Sequence, residues 1–273
     1  MASSSLPATP PTPSPGTSSR LPTAISSPVA ARDIVVIGGG CYGTFYAGQL
    51  EVARAKGALE VERVLVVDRD AHCQITRALP PSPVRELVVS DWDTFFDTYL
   101  AAHLPIRPSA HPSYIVPSPL MPHLMFDWLL RRARERWPAL SVERRPLEEP
   151  LGTPYDRLGP DGTRYVSFAD WLCPTHCVEP AICPVIRGPR TWEMGEAVAE
   201  LVARLARTRP VVGPALFTTR HLTYGVGAFP VDEVLAANSL LEASGGSGAP
   251  VELVIGTVSA CHGAIGILAL GAA

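Results

Sequence analysis

The distribution of apolar and polar residues divides the chain, from about residue 32 onward, into short apolar runs and longer amphipathic stretches. The apolar runs at 34–37 and 63–68 are rich in β-branched residues and predict buried strands. The segment between these runs can be helical through about Ala55. A strand, a helix and a second strand in this order are typical of a parallel βαβ unit.

The same alternation continues along the chain. Asp91 is a suitable N-cap for a helix, because its carboxylate can accept hydrogen bonds from the free N–H groups of a first turn. The pattern predicts further strands at 86–90, 114–116, 140–143, 165–168 and 251–258, and helices at about 94–102 and 122–137. We therefore predict an α/β fold with a doubly wound, mostly parallel sheet, whose ligand crevice lies at the carboxyl ends of the strands.

A glycine motif follows the first predicted strand directly. Gly38 suits the tight turn from strand to helix, Gly40 lets the backbone approach a pyrophosphate, and Gly43 allows the helix to pack closely on the strand. The helix that begins there presents free N–H groups and a partial positive charge to phosphates. The second strand ends in Asp68, 25 residues after Gly43, where a carboxylate can accept hydrogen bonds from a ribose diol.

With this motif, residues 32 to about 70 resemble the first βαβ unit of Rossmann-fold NAD- or FAD-binding proteins. The resemblance implies NAD(H) as the cofactor and FAD as the alternative, because Asp68 would repel the 2′-phosphate of NADP(H), although Arg69 opposes that preference. A later strand that would contact a flavin ribityl chain is not recognisable. The implied cofactor contacts are Gly38, Gly39, Gly40, Cys41, Tyr42, Gly43, Asp68 and Arg69.

Composition narrows the range of partners. The net charge of −3 gives no basic surface for nucleic acid. No run reaches the roughly 18 apolar residues that a membrane span needs. We therefore expect a cytoplasmic protein with a small-molecule substrate or effector, no nucleic acid and no membrane, and either a monomer or a homo-oligomer.

The patterns divide the chain into four segments. The first, residues 1–31, is rich in Ser, Pro and Thr and predicts a disordered tail, with an organelle transit peptide as the alternative. The others are a dinucleotide-binding Rossmann core at 32–150, a cysteine-rich insertion at 151–190, and a C-terminal α/β completion of the same domain at 191–273.

The predicted insertion places three cysteines and a histidine within eleven positions, 173–183. Thiolates bind zinc or an iron-sulfur cluster, yet the spacing C-x3-C-x5-C matches neither a zinc knuckle nor a ferredoxin run. A metal or cluster site, a redox dithiol and inert buried thiols are the three interpretations, and His221 is a further donor for the first. The predicted ligand set is Cys173, His176, Cys177, Cys183, Cys261 and His262.

The sequence contains no recognisable catalytic motif. Residues 217–237 predict a loop in which His221 or Tyr224 could donate a proton near a nicotinamide. The leading hypothesis is a dinucleotide-binding oxidoreductase whose cysteine segment holds a metal or relays electrons. The alternatives are a non-catalytic NAD- or redox-sensing regulatory module, an FAD-binding protein, and a structural partner protein that has lost its ligand.

Overall fold

The structure is a computed structural model, and it describes residues 27–104, 110–174, 177–246 and 249–272. The helices are α1 (Cys41–Ala55), α2 (Gln74–Ala78), α3 (Trp92–Ala101), α4 (Leu124–Arg136), α5 (Met194–Leu205) and α6 (Val231–Gly245). The strands are β1 (Val29–Ile37), β2 (Leu59–Asp68), β3 (Arg85–Val89), β4 (Tyr114–Val116), β5 (Leu140–Arg145), β6 (Tyr155–Leu158), β7 (Arg164–Ser167), β8 (Ile182–Cys183), β9 (Gly188–Pro189), β10 (Val211–Thr218), β11 (Arg220–Thr223), β12 (Val226–Pro230), β13 (Val251–Val258) and β14 (His262–Ala272).

The first sheet has the strand order β11-β12-β4-β1-β2-β3. Four of its six strands, β4, β1, β2 and β3, run parallel to one another. The two remaining strands come from late in the chain: β12 is antiparallel to β4, and β11 is antiparallel to β12. The carboxyl ends of β1 and β4 lie next to each other, because Val36 pairs with Val116.

The second sheet is built mainly from antiparallel pairs. Its order is β10-β13-β14-β7-β6, and β5 also pairs with β14. β10 and β13 are parallel, whereas β14 is antiparallel to β13, β5 and β7. The hairpin β6–β7 forms one edge, so these two strands are part of a sheet and not of an insertion.

The prediction of one doubly wound, mostly parallel Rossmann-like sheet is therefore wrong. The described residues form two six-stranded mixed sheets and the small pair β8–β9. β5, expected as a further strand of that one sheet, lies instead in the second sheet. The region 217–237, expected as a loop, contains the end of β10, the strands β11 and β12 and the start of α6. Local periodicity identified many of the strands, but it does not specify which sheet a strand joins.

The elements stack in five layers. α1 and α2 cover the outer face of the first sheet, and α5 covers the outer face of the second. Between the sheets lie α3, α4 and α6, whose apolar side chains pack against both. Trp128 of α4 is 1% exposed within this middle layer. The two sheets thus close on a shared apolar core.

Two sequence-derived boundaries shift. The predicted tail ends at residue 31, whereas β1 already begins at Val29, and residues 1–26 lie outside the described part of the chain. The predicted completion at 191–273 supplies β10, β13 and β14 to the second sheet, but β11 and β12 to the first. Among the helices that the structure describes, none has the length and apolarity needed to cross a membrane.

The middle layer generates a stability prediction. Trp128→Ala should lower the free energy of unfolding by about 3–5 kcal/mol, because it leaves a large cavity between the sheets. Leu172→Ala is the control, since Leu172 is 97% exposed and its loss should change stability by no more than about 0.5 kcal/mol. Denaturant unfolding measures both values, and similar values for the two variants would contradict the layered core.

Candidate functional site

The turn after β1 is held by backbone contacts and by one carboxylate. Gly38 has a φ of +83°, and its N–H donates to the carbonyl of Val67 at 2.9 Å. The N–H of Gly39 donates to Oδ2 of Asp68 at 2.6 Å. Asp68 also accepts the N–H of Asp70 at 2.9 Å through Oδ1. The acid at the end of β2 therefore lies against the glycine turn.

The other two motif glycines serve different physical purposes. A Cβ on Gly43 would lie 1.7 Å from the carbonyl oxygen of Gly38, so only glycine fits there. A Cβ on Gly40 would meet nothing within 4 Å, and the backbone there has an ordinary φ of −75°. Gly40 is thus not required by the packing of the described residues, and it leaves the backbone open to an incoming group.

The N-terminus of α1 faces this open position. Its first hydrogen bond runs from the N–H of Thr44 to the carbonyl of Gly40, so the N–H groups of Cys41, Tyr42 and Gly43 precede the helical ladder. The first turn contains no acidic residue, and no side chain caps it. The positive end of the helix dipole therefore remains available to an anion.

Of the further predicted cofactor contacts, Cys41 is exposed and Tyr42 half-buried at the start of α1. The guanidinium carbon of Arg69 lies 5.2 Å from the ring centroid of Trp92. Arg69 is thus positioned at the rim of the turn by an aromatic ring.

Next to this turn lies a cavity of about 480 Å³ between the two sheets. Register connects the two features: Val36 pairs with Val116 at the carboxyl ends of β1 and β4, and Gly38 follows β1 while Ser118, which lines the cavity, follows β4. The lining residues are Tyr46, Pro117, Ser118, Pro119, Pro122, Tyr155, Tyr165, Val166, Ser167, Cys177, Thr219, Gly225, Gly227, Thr257, Val258, Ser259, His262, Gly263 and Ala264. The wall therefore combines α1, the carboxyl ends of β4, β10 and β13, and the cysteine segment.

The cavity wall contains no permanently charged side chain among the described residues, and burial lowers the pKa of its one histidine, His262. Its described lining contains no Asp, Glu, Lys or Arg, and aromatic, proline and small residues dominate it. Such a surface suits a neutral ring system, since a charged ligand group would lose water there without gaining a partner.

One polar pair stands at the edge of this wall. The hydroxyl of Tyr165, on β7, lies 2.6 Å from Nε2 of His123, which directly precedes α4. The same Nε2 is 3.6 Å from Oδ2 of Asp161. Burial raises the pKa of Tyr165 and lowers the pKa of His123, although the Asp161 carboxylate partly offsets the second shift.

No motif or spacing in the sequence marks Tyr165, His123 or Tyr46 as site residues. Tyr165 lay in a predicted strand, and His123 lay in a predicted helix 42 positions earlier. No spacing connects them, because the pairing of β7 with β14 is what places Tyr165 beside the cavity.

The cysteine segment docks on the turn between β13 and β14. Glu179 joins the two, because its carboxylate accepts the hydroxyl of Ser259 at 2.7 Å and the N–H of Ala260 at 2.6 Å. The N–H of Glu179 in turn donates to Sγ of Cys177 at 3.4 Å. Cys177 and His262, two predicted ligands, consequently line the same cavity.

The other predicted ligands are more enclosed. Cys183 and Cys261 are buried, Cys173 is half-buried, and His176 lies outside the described residues. Burial raises the pKa of Cys173, and the charge of Cys177 raises it further. Within the ranges that the structure describes, no three His, Cys, Asp or Glu side chains are grouped so that they could hold a metal ion.

The predicted catalytic residues lie outside the cavity wall. His221, on β11, is exposed, and its Nε2 accepts the N–H of Gly225 at 3.1 Å. Tyr224 forms the turn between β11 and β12 with a φ of +45°, and its side chain is exposed. Its carbonyl accepts the side-chain amide of Gln49 at 2.9 Å, so this turn is attached to α1.

Fold and site together define a five-layered α/β protein in which a glycine turn at parallel strand ends adjoins an uncharged cavity. Residues 125–271, more than half of the chain, match the model of a family described as "Uncharacterized protein, C-terminal domain". The chain belongs to this family. The matched residues run from α4 to β14, which includes the strands of the second sheet and excludes the glycine turn after β1. Comparisons with curated proteins and with solved structures give no match.

The buried thiol of Cys261 generates a pH prediction. Burial raises the pKa of Cys261 to about 11, although the hydrogen bond from the Trp192 indole N–H acts in the opposite direction. The neutral thiol should therefore persist through neutral pH, and alkylation by iodoacetamide should accelerate about tenfold per pH unit below that pKa. Peptide mass spectrometry measures the rate, with the exposed Cys41 as the reference thiol. Equal labelling of both thiols at neutral pH would contradict this environment.

Proposed function

We propose that the protein binds a dinucleotide, with NAD(H) preferred and FAD the alternative, and that it is an oxidoreductase. The N–H groups at the start of α1, beside Gly40, would hold its pyrophosphate, and the residues that line the uncharged cavity would enclose its redox ring. The observation that carries this proposal is the adjacency of an unobstructed glycine turn and that cavity at the carboxyl ends of β1 and β4.

The electrostatics of the turn support an anionic ligand group. The N–H of Gly39 already binds Asp68, so the donors for a phosphate are the N–H groups at the start of α1. The open position at Gly40 allows the phosphate to approach those donors closely. The free Oδ lone pairs of Asp68 favour a ribose diol over a 2′-phosphate, which supports NAD(H) over NADP(H).

The cavity supports the placement of the redox ring. Tyr46 lies three residues after Gly43 on α1 and lines the cavity, so one helix borders both parts of the site. A ring that extends from the pyrophosphate towards the second sheet meets apolar and aromatic surfaces. Exclusion of water from that ring favours hydride transfer over side reactions.

The thiol of Cys177 supports a second candidate function, redox sensing. This half-buried thiol lines the cavity, and its electrostatic interaction with Cys173, four residues earlier, raises the pKa of Cys173. A thiol beside the redox ring can respond to oxidation and to occupancy of the cavity. Zinc or an iron-sulfur cluster on the cysteine segment stays a prediction, which an absorbance spectrum with metal and sulfide analysis tests after anaerobic purification.

Gly40→Ala is the sharpest test of dinucleotide binding. The new methyl group meets no described atom within 4 Å, so the stability cost should stay below about 1 kcal/mol, the usual difference at an N-cap. The methyl group would stand where the pyrophosphate approaches. We expect NADH affinity to fall at least about tenfold, which corresponds to 1.4 kcal/mol, in a titration of NADH fluorescence.

Gly48→Ala is the matched control on the same helix. Its Cβ would make an ordinary contact, 3.8 Å from Cδ2 of Leu79, so the variant should keep wild-type affinity. It should also gain up to about 1 kcal/mol of stability from the higher helix propensity of alanine. Equal NADH affinity in the wild type and in Gly40→Ala would remove the glycine turn from the binding site.

Protection of Cys177 tests the position of the redox ring independently of the glycine turn. Because Cys177 lines the cavity, saturating NADH should slow its alkylation at least about fivefold relative to the protein without NADH. Mass spectrometry of peptides labelled with and without NADH measures both rates. NADH that binds without slowing the labelling of Cys177 would place the ring elsewhere.

A further inference from the structure

The polar pair at the cavity edge has a chemical role if a redox ring occupies the cavity. We propose that Tyr165 donates the proton in the reduction of a neutral carbonyl compound, an aldehyde, ketone or quinone, and that His123 returns a proton to Tyr165. This inference rests on the proposed function, because NADH is the hydride donor.

The geometry fits a phenol that donates into the cavity. The Tyr165 hydroxyl is 2.6 Å from Nε2 of His123, and the Asp161 carboxylate lies 3.6 Å from the same nitrogen. We assign the neutral tautomer with its proton on Nε2, because the Asp161 carboxylate stabilises a proton there, and Nε2–H then donates to the phenol oxygen. The phenol hydrogen is then directed away from His123 and is available to a substrate oxygen.

The protonation states agree with this role. Burial raises the pKa of Tyr165, so the phenol is protonated at neutral pH, and burial lowers the pKa of His123, so the imidazole is neutral. A neutral imidazole can take up a proton at Nδ1 while it gives one up from Nε2. The charged and titratable groups that face this pair are Asp161, Arg144, Asp127 and Tyr155.

The position of Asp161 is itself fixed. Its Oδ2 accepts the guanidinium of Arg144 at 3.1 Å and the hydroxyl of Thr163 at 2.7 Å. Arg144 also pairs with Asp127 of α4, and its guanidinium carbon lies 4.3 Å from the ring centroid of Phe126. The carboxylate that orients His123 is therefore anchored to both β5 and α4.

The reaction balances with NADH as the reductant. Bound NADH would supply the hydride for the new C–H bond at the carbonyl carbon, and Tyr165 supplies the proton for the O–H bond that the C=O π electrons form. The products are NAD⁺, an alcohol and a Tyr165 phenolate. Nε2–H of His123 reprotonates the phenolate as Nδ1 takes a proton from solvent.

The cavity wall determines the substrate class. A substrate carboxylate or phosphate needs a cation or several N–H donors to replace its water, and the described lining contains no lysine or arginine. A neutral carbonyl compound needs only one hydrogen-bond donor for its oxygen, and Tyr165 supplies it. Aromatic and proline surfaces such as Tyr46 and Pro117 suit a flat apolar substrate.

The test measures NADH binding and carbonyl reduction in the same preparations. The probes are phenanthrenequinone and 4-nitrobenzaldehyde, and NADH consumption is the readout. Tyr165→Phe should lower kcat by about 10²- to 10⁴-fold, the usual value of a general acid, with the NADH Kd unchanged. Tyr114→Phe is the control, because it removes a phenol hydroxyl on β4 that does not line the cavity.

His123 is tested by chemical rescue. His123→Ala should lower kcat at least about tenfold, and imidazole added to the buffer should restore a large part of the activity. A purely structural His123 would not respond to imidazole. Thermal unfolding of each variant shows whether the fold is retained, and Tyr165→Phe remains informative if His123→Ala does not fold.

Three results would overturn the inference. The first is a Tyr165→Phe variant that keeps kcat within about threefold of the wild type. The second is a wild-type protein that binds NADH but reduces neither probe, which leaves the proposed dinucleotide site standing. The third is a wild-type protein that does not bind NADH, which overturns the inference together with NADH as the cofactor.

Discussion

The contact between Phe217 and Phe229 joins the two sheets at the point on which the rest of the structure depends. Their ring centroids lie 5.7 Å apart, and both side chains are almost fully buried. Phe217 belongs to β10 of the second sheet and Phe229 to β12 of the first, so the chain crosses between the sheets within a few residues. Because α3, α4 and α6 bury apolar surface against both sheets, the sheets must close on this layer. That closure brings the carboxyl ends of β4, β10 and β13 around one cavity.

The first βαβ unit was predictable because each of its signals is local. A β-branched run, a glycine turn and a second apolar run ending in Asp68 specify β1, α1 and β2 without help from distant residues. The prediction of an N-cap at Asp91 is confirmed for the same reason, since its carboxylate accepts the N–H of Thr94 at 2.9 Å. These features need only neighbouring residues and the preferences of the backbone.

The second sheet was not predictable, because its central strand contains glycines, which a local pattern does not associate with a strand interior. A Cβ on Gly266 of β14 would lie 2.9 Å from the ring of Phe126 on α4. The glycine therefore marks close packing of a helix on a strand and not a turn. Periodicity carries no information about such long-range packing, so it predicted β13 but not β14, which begins at His262.

Gly40 and Gly43 belong to the same motif, but only Gly43 is required by the packing of the fold. Gly43 is fixed by packing, because the Gly38 carbonyl occupies the position of any side chain. Gly40 has space around it, so packing among the described residues does not explain a glycine there. A larger side chain would fit at position 40, so the glycine there leaves space for a ligand beside the backbone. That room opens at the positive end of α1 and beside a cavity whose wall is uncharged apart from His262, and the pair Tyr165 and His123 adds a proton donor at its edge.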